Sequence, residues 1–152
     1  MSTIAVSGSV GRPQAHTEST KSGKGRFAKV GLATIVAAVL ANVLIYFAGD
    51  AVVGYDPDFV VLANVSGAVI FTFAAAVVAV LLYGALLRWT ANPVRIFTVI
   101  AAIVFVVTTV PDFTYIPGVD GASNGQTAVL VIVHVVVAAV IVSMLAGLAP
   151  KL

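Results

Sequence analysis

Polar and apolar residues along this chain do not alternate at helical or strand period; they separate into long blocks. Four uncharged runs, 30–49, 59–87, 96–111 and 121–150, are separated by short polar segments. A helix crossing a hydrocarbon core of ~30 Å needs about 20 residues at 1.5 Å each. Each run accommodates one crossing and none accommodates two, which predicts four transmembrane helices over about 30–49, 64–87, 93–111 and 126–148. The third run is the shortest. Starting its helix at Pro93, whose missing N–H costs nothing in a first turn, completes the span, and Arg95 then reaches the interface along its methylenes. In the second, Asn64 is placed to cap a helix from Val65, with 59–63 lying in the interface; a longer, tilted helix from Asp58 is the competing reading. Residues 1–29 carry five basic side chains and no repeating apolar face, and read as a disordered cytoplasmic tail. The first run is too long for a signal-peptide core of about 7–15 residues and lacks a small-x-small site before Asp50, so it reads as an uncleaved helix.

Composition confirms the class. Of 152 residues, 61% are hydrophobic and 9% charged, against roughly 25% charged in soluble domains. The expected fold is all-α, an integral membrane bundle of four helices. There is no cysteine, which removes disulfides, thiol nucleophiles and thiolate metal sites. The sequence pI near 9.2 invites a nucleic-acid reading, but the basic residues are sparse and lack aromatic interleaving. They set topology and meet anionic lipid headgroups instead.

Charge placement gives the orientation. Arg12, Lys21, Lys24, Arg26, Lys29, Arg88, Arg95 and Lys151 all fall on one side of the predicted bundle, while Asp50, Asp56, Asp58, Asp112 and Asp120 fall in the other two loops. The positive-inside rule then puts both termini in the cytoplasm, with the protein in the plasma membrane.

Inside a membrane, the polar side chains are the informative ones, because hydrocarbon offers them no partner. Counting 1.5 Å per residue, Asn42 on the first helix and His134 on the fourth fall about 4 Å outward of their midpoints, and Thr72 and Thr108 roughly 6 to 8 Å outward. These four form a candidate intramembrane polar cluster, with His134 its only titratable member. The competing reading is interhelical glue worth about 0.6 to 2 kcal/mol, with each threonine satisfied by its own helix's carbonyl. The acidic loops offer a second candidate. Asp56, Asp58 and Asp112 present oxygen ligands for a weakly held cation, or else serve as turn and cap residues that keep negative charge outside. No cofactor or metal is expected: the only other histidine, His16, lies in the tail on the wrong side for haem, and no zinc-like ligand set exists. No nucleophile, base and orienting group stand together, so the chain does not read as an enzyme. Small residues four apart, Ala37 with Ala41, Ala63 with Gly67 and Ala75 with Ala79, permit close helix approach within one bundle or between copies.

Asn42 in the first span, the stretch from Pro93 through Phe97 to Pro111-Asp112, and the run Val129-Leu-Val-Ile-Val-His134 followed by small residues resemble a domain-of-unknown-function family of small four-helix membrane proteins, of actinobacterial and haloarchaeal type. The resemblance covers about residues 29–148 and implies the fold and the membrane location, not an activity. The functional expectation is action by helix association, with itself or a membrane partner in the bilayer. The alternative is a proton-linked or small-solute carrier or channel subunit built around His134 and Asn42.

Overall fold

A bilayer admits only segments that satisfy their own backbone hydrogen bonds, and all four apolar runs do so as helices. The computed structural model describes the backbone of residues 15–148 and the side chains of 25–148. In chain order the elements are α1 (Ala15–Val53), α2 (Val65–Trp89), α3 (Pro93–Thr114), a 3₁₀ turn (Ile116–Gly118) and α4 (Asn124–Leu148). Four segments, Gly25–Val53, Val65–Trp89, Pro93–Gly118 and Asn124–Leu148, are long and apolar enough to cross a membrane, with mean hydropathies from 2.2 to 3.0.

The boundaries differ from the sequence reading in instructive ways. Helical backbone in α1 reaches back to Ala15, into the stretch read as a disordered tail, since extending a helix already nucleated in the apolar run costs little. Residues 1–14 of that tail lie outside the described residues. At its other end α1 runs one turn past residue 49, and the Gly54 N–H closes it on the Asp50 carbonyl at 2.8 Å. The Asn64 side chain accepts from the Ser66 N–H at 2.9 Å, so α2 starts at a capped end rather than as a longer helix from Asp58. α3 does begin at Pro93, but it continues through Pro111 to Thr114. A proline there removes only one ladder bond, and the chain resumes with the Tyr115 N–H on the Pro111 carbonyl at 2.9 Å. α4 starts two residues before the expected 126, where the Ser123 hydroxyl accepts from the Gln126 N–H at 3.2 Å.

α1 packs chiefly against α4 on one side and α2 on the other, α3 docks on α4, and α2 and α3 meet less closely. Toward the end that carries Arg88 and Arg95, the core is Ala38, Ala76, Tyr83, Phe97, Ile141 and Leu145. There Tyr83 and Phe97 meet edge to face at 5.0 Å, coupling α2 to α3. Toward the aspartate-bearing loops, Tyr46, Phe59, Leu62 and Ile116 form a second cluster. The fully buried alanines are Ala38 and Ala76, whereas Ala75 of the expected small-residue pair is exposed. α1 and α4 come close at Gly49, where a Cβ would lie 2.8 Å from Val129 Cγ1 and collide with the Tyr55 hydroxyl. Most large apolar side chains on the outer faces are exposed, as a bundle solvated by lipid requires. α3 fully buries only Phe97, Thr109 and Asp112.

Gly49→Ala is expected to destabilise the bundle by about 1 to 3 kcal/mol through overpacking, read as a lower unfolding temperature in detergent. Gly67→Ala, with nothing within 4 Å of the added methyl, is expected to leave that temperature unchanged or raised.

Candidate functional site

Of the four polar residues expected to form one cluster, Asn42 and Thr72 meet each other, His134 meets Asp112 instead, and Thr108 stands apart. Asn42 is buried, 2% exposed, and its amide nitrogen donates to the Ala68 carbonyl at 3.0 Å and to the Thr72 hydroxyl. This locks α1 to α2. The amide oxygen of Asn42 finds no partner among the described residues. Thr108 faces outward and accepts no role in the cluster: its hydroxyl donates to the Val104 carbonyl at 2.8 Å and approaches that of Phe105 at 3.1 Å. A threonine spends its donor on its own helix wherever no other acceptor is near.

His134 pairs with Asp112 rather than with Asn42. Its Nδ1 lies 2.9 Å from the Leu130 carbonyl and 3.1 Å from Asp112 Oδ2. The carbonyl only accepts, so in the neutral ring Nδ1 carries the hydrogen and Nε2 is the atom free to take a second proton. Asp112 was expected in an outer loop. It lies within α3, 5% exposed, because the helix does not stop at Pro111. Its Oδ2 approaches the imidazole, yet no hydrogen is aligned on it, since the ring N–H is directed to Leu130. Neutral His134 and ionised Asp112 together carry one negative charge; a proton on Nε2 brings the pair to neutrality.

Beside this pair, between the loop ends of α3 and α4, lies an open cleft of about 480 Å³. Asp112 contributes its polar wall, with Phe113, Pro117, Val131 and Ile132 as apolar lining and Asn124 and Thr127 toward the loops.

Asp56 and Asp58 do not join this site. Asp56 Oδ1 accepts from the Asp58 N–H at 2.9 Å, an Asx turn about Pro57, and both residues are exposed. Above the pair, a cap of side chains ties the loops down. The Tyr46 hydroxyl donates to the Leu62 carbonyl at 2.7 Å and that of Tyr55 to the Tyr46 carbonyl at 2.8 Å. With its amide turned to suit both neighbours, buried Gln126 donates to the Gly121 carbonyl at 3.1 Å and accepts from the Asp56 N–H at 2.9 Å. Gly121 has φ +75, and a Cβ there would lie 2.8 Å from the Phe59 nitrogen, so only glycine lets the two loops meet. Burial first, then the Asp50 carboxylate and Tyr46, push the Tyr55 phenol up from its usual 10.0.

Of the residues that matter here, the sequence reading named Asp112 but put it in a loop, and it missed Gln126. Asp112 was signalled by the third run itself: 16 uncharged residues fall short of the ~20 a crossing needs, and the helix makes up the deficit at both ends. Gln126 carried no signal, because its role depends on a loop brought in from the other side of the bundle.

The fold and these intramembrane polar contacts define a small all-helical bundle whose four helices are each suited to cross a membrane. The chain belongs to the family of unknown function DUF6069, whose profile matches residues 22–151. No curated protein and no solved structure matches the chain.

Asn42→Ala and Thr72→Val, separately and combined, are expected to show a coupling of about 0.6 to 1.7 kcal/mol in a double-mutant cycle, whereas Thr108→Val leaves stability within error. Because the folded state holds the Tyr55 proton more tightly than the unfolded chain does, its contribution is complete below about pH 10 and is lost as pH rises through the raised value. Alkaline unfolding curves of Tyr55→Phe are expected to lack that component.

Proposed function

We propose that this protein resides in the plasma membrane with both termini cytoplasmic, and that the Asp112–His134 pair takes up and releases a proton in the outer half of the bundle. It acts as a proton-linked carrier or channel subunit for a small solute, without covalent chemistry. The observation that carries this reading is an imidazole nitrogen 3.1 Å from a carboxylate that is 95% buried among apolar helices. Ionisable groups within membrane-spanning segments are costly, pair with one another and mark proton or substrate paths. His134 keeps a second ring nitrogen free to take a proton, and its side chain is one-third exposed. Support for the orientation comes from charge: every Lys and Arg among the described residues lies at the opposite end from the aspartate loops.

A second reading, association with a further copy or a membrane partner, is favoured by α3, which fully buries three of its 22 residues. The two are compatible, since a bundle of four short helices has little interior volume and a path forms more naturally between copies.

In proteoliposomes, a proton flux driven by a pH gradient is expected, lost in Asp112→Asn and in His134→Ala. Ring-labelled histidine spectra of the full chain should show a titrating His134 whose curve changes in Asp112→Asn. Flux that is absent, or indifferent to both substitutions, overturns the reading; a native size above one chain, unaltered by His134→Ala, would then favour association. Because the chain has no cysteine, a single Asp120→Cys labelled from outside intact cells by an impermeant maleimide tests the orientation.

A further inference from the structure

We propose that the cleft between α3 and α4 binds an organic cation carried on an apolar body, held by the Asp112 carboxylate in competition with the proton on the Asp112–His134 pair. The inference rests on the proton-linked reading and names the class of solute. Three observations converge on it. Asp112 is 5% exposed and lines the cleft, and its Oδ2, buried against the His134 imidazole, has no aligned hydrogen, so the carboxylate keeps unspent accepting capacity beside the cavity. The rest of the wall is mostly apolar, Phe113, Pro117, Val131 and Ile132 with Asn124 and Thr127 toward the loops, which suits hydrocarbon or aromatic groups better than a hydrated inorganic ion. A volume of about 480 Å³ lies in the range of sites for small organic ligands, roughly 300 to 1,000 Å³.

Charge selects the sign of the ligand. With His134 neutral, the pair carries a net negative charge in a poorly solvated place, and such a charge requires a partner. A proton on Nε2 or an external cation meets that requirement equally, and occupancy by one weakens the other. Other titratable groups at this end are committed or distant. Tyr46 on α1 donates to Leu62, Tyr55 in the following loop donates to Tyr46, and Asp50 accepts from the Tyr55 N–H at 3.0 Å. From the loop before α4, Tyr115 and Asp120 are exposed. No Lys or Arg among the described residues lies at this end to neutralise Asp112 internally. The same acidity argues against a phospholipid amine as occupant, since its phosphate would be brought beside the aspartates. A free amphiphilic cation has no such liability.

The test uses the purified full chain in nanodiscs, with tetraphenylphosphonium as probe and tetraphenylborate as its isosteric anion. Saturable phosphonium binding is expected at pH 8, weakened at least tenfold at pH 5, with the borate not competing. Asp112→Asn should abolish binding; His134→Ala should retain it with a flatter pH dependence. Ile132→Trp, at a half-exposed position that tolerates bulk, should block binding while the His134 titration persists, which covers the case of an Asp112 variant that fails to fold. The proposal is overturned by absent phosphonium binding at pH 8, by equal binding of the borate, or by an Asp112→Asn protein that binds as the parent does. A titrating, Asp112-linked His134 without phosphonium binding would sink this inference alone, and phosphonium binding without proton linkage would sink the competition it requires.

Discussion

A carboxylate held among apolar helices has to be neutralised by something within reach, or the helix that carries it will not stay where it is. In this bundle the carboxylate is Asp112 and the group within reach is His134. Their contact has consequences beyond its own energy, because α3 has so little else to hold it. It is fastened at one end by Phe97 against Tyr83 and at the other by Asp112 against the α4 imidazole. The aromatic contact is indifferent to small slips along the helix axis. A polar contact between two side chains at 3.1 Å is not, and so it helps set the register of α3 on α4 and with it the shape of the cleft between them.

The remaining helices are held by contacts of a different kind. α1 and α4 come together because Gly49 offers no side chain to Val129, and α1 and α2 because Asn42 reaches across to Thr72 and Ala68. At the loop end, where backbone groups lack a helix to satisfy them, side chains take over: Tyr46, Tyr55 and Gln126 each bond a main-chain atom of another segment. The Asp112–His134 pair thus lies beneath a stiff lid and beside a soft wall.

Helix number and type were legible in the sequence because hydrocarbon thickness and backbone satisfaction leave almost no alternative for four uncharged runs. The caps were legible where local chemistry decides them, as at Asn64 and Pro93. The composition of the site was half legible. Asn42, Thr72 and His134 stand out as polar atoms in apolar runs, but which of them meet is decided by the rotation of each helix about its axis. Helices that are apolar all round carry no stripe from which to read that rotation. Asp112 was misplaced for a different reason: Pro-Asp after an apolar run has the chemistry of a helix end, and only the 3₁₀ turn and cap above it keep the segment at depth.

The chain separation of the ionic partners has a bearing on how this protein is made. Asp112 is synthesised twenty-two residues ahead of His134, which at ribosomal rates of about 5 to 20 residues per second is an interval on the order of one to four seconds. During that interval α3 must enter the bilayer with an aspartate near its trailing end and no imidazole to meet it. The contact between α3 and α4 at this pair can form only once the last helix is made.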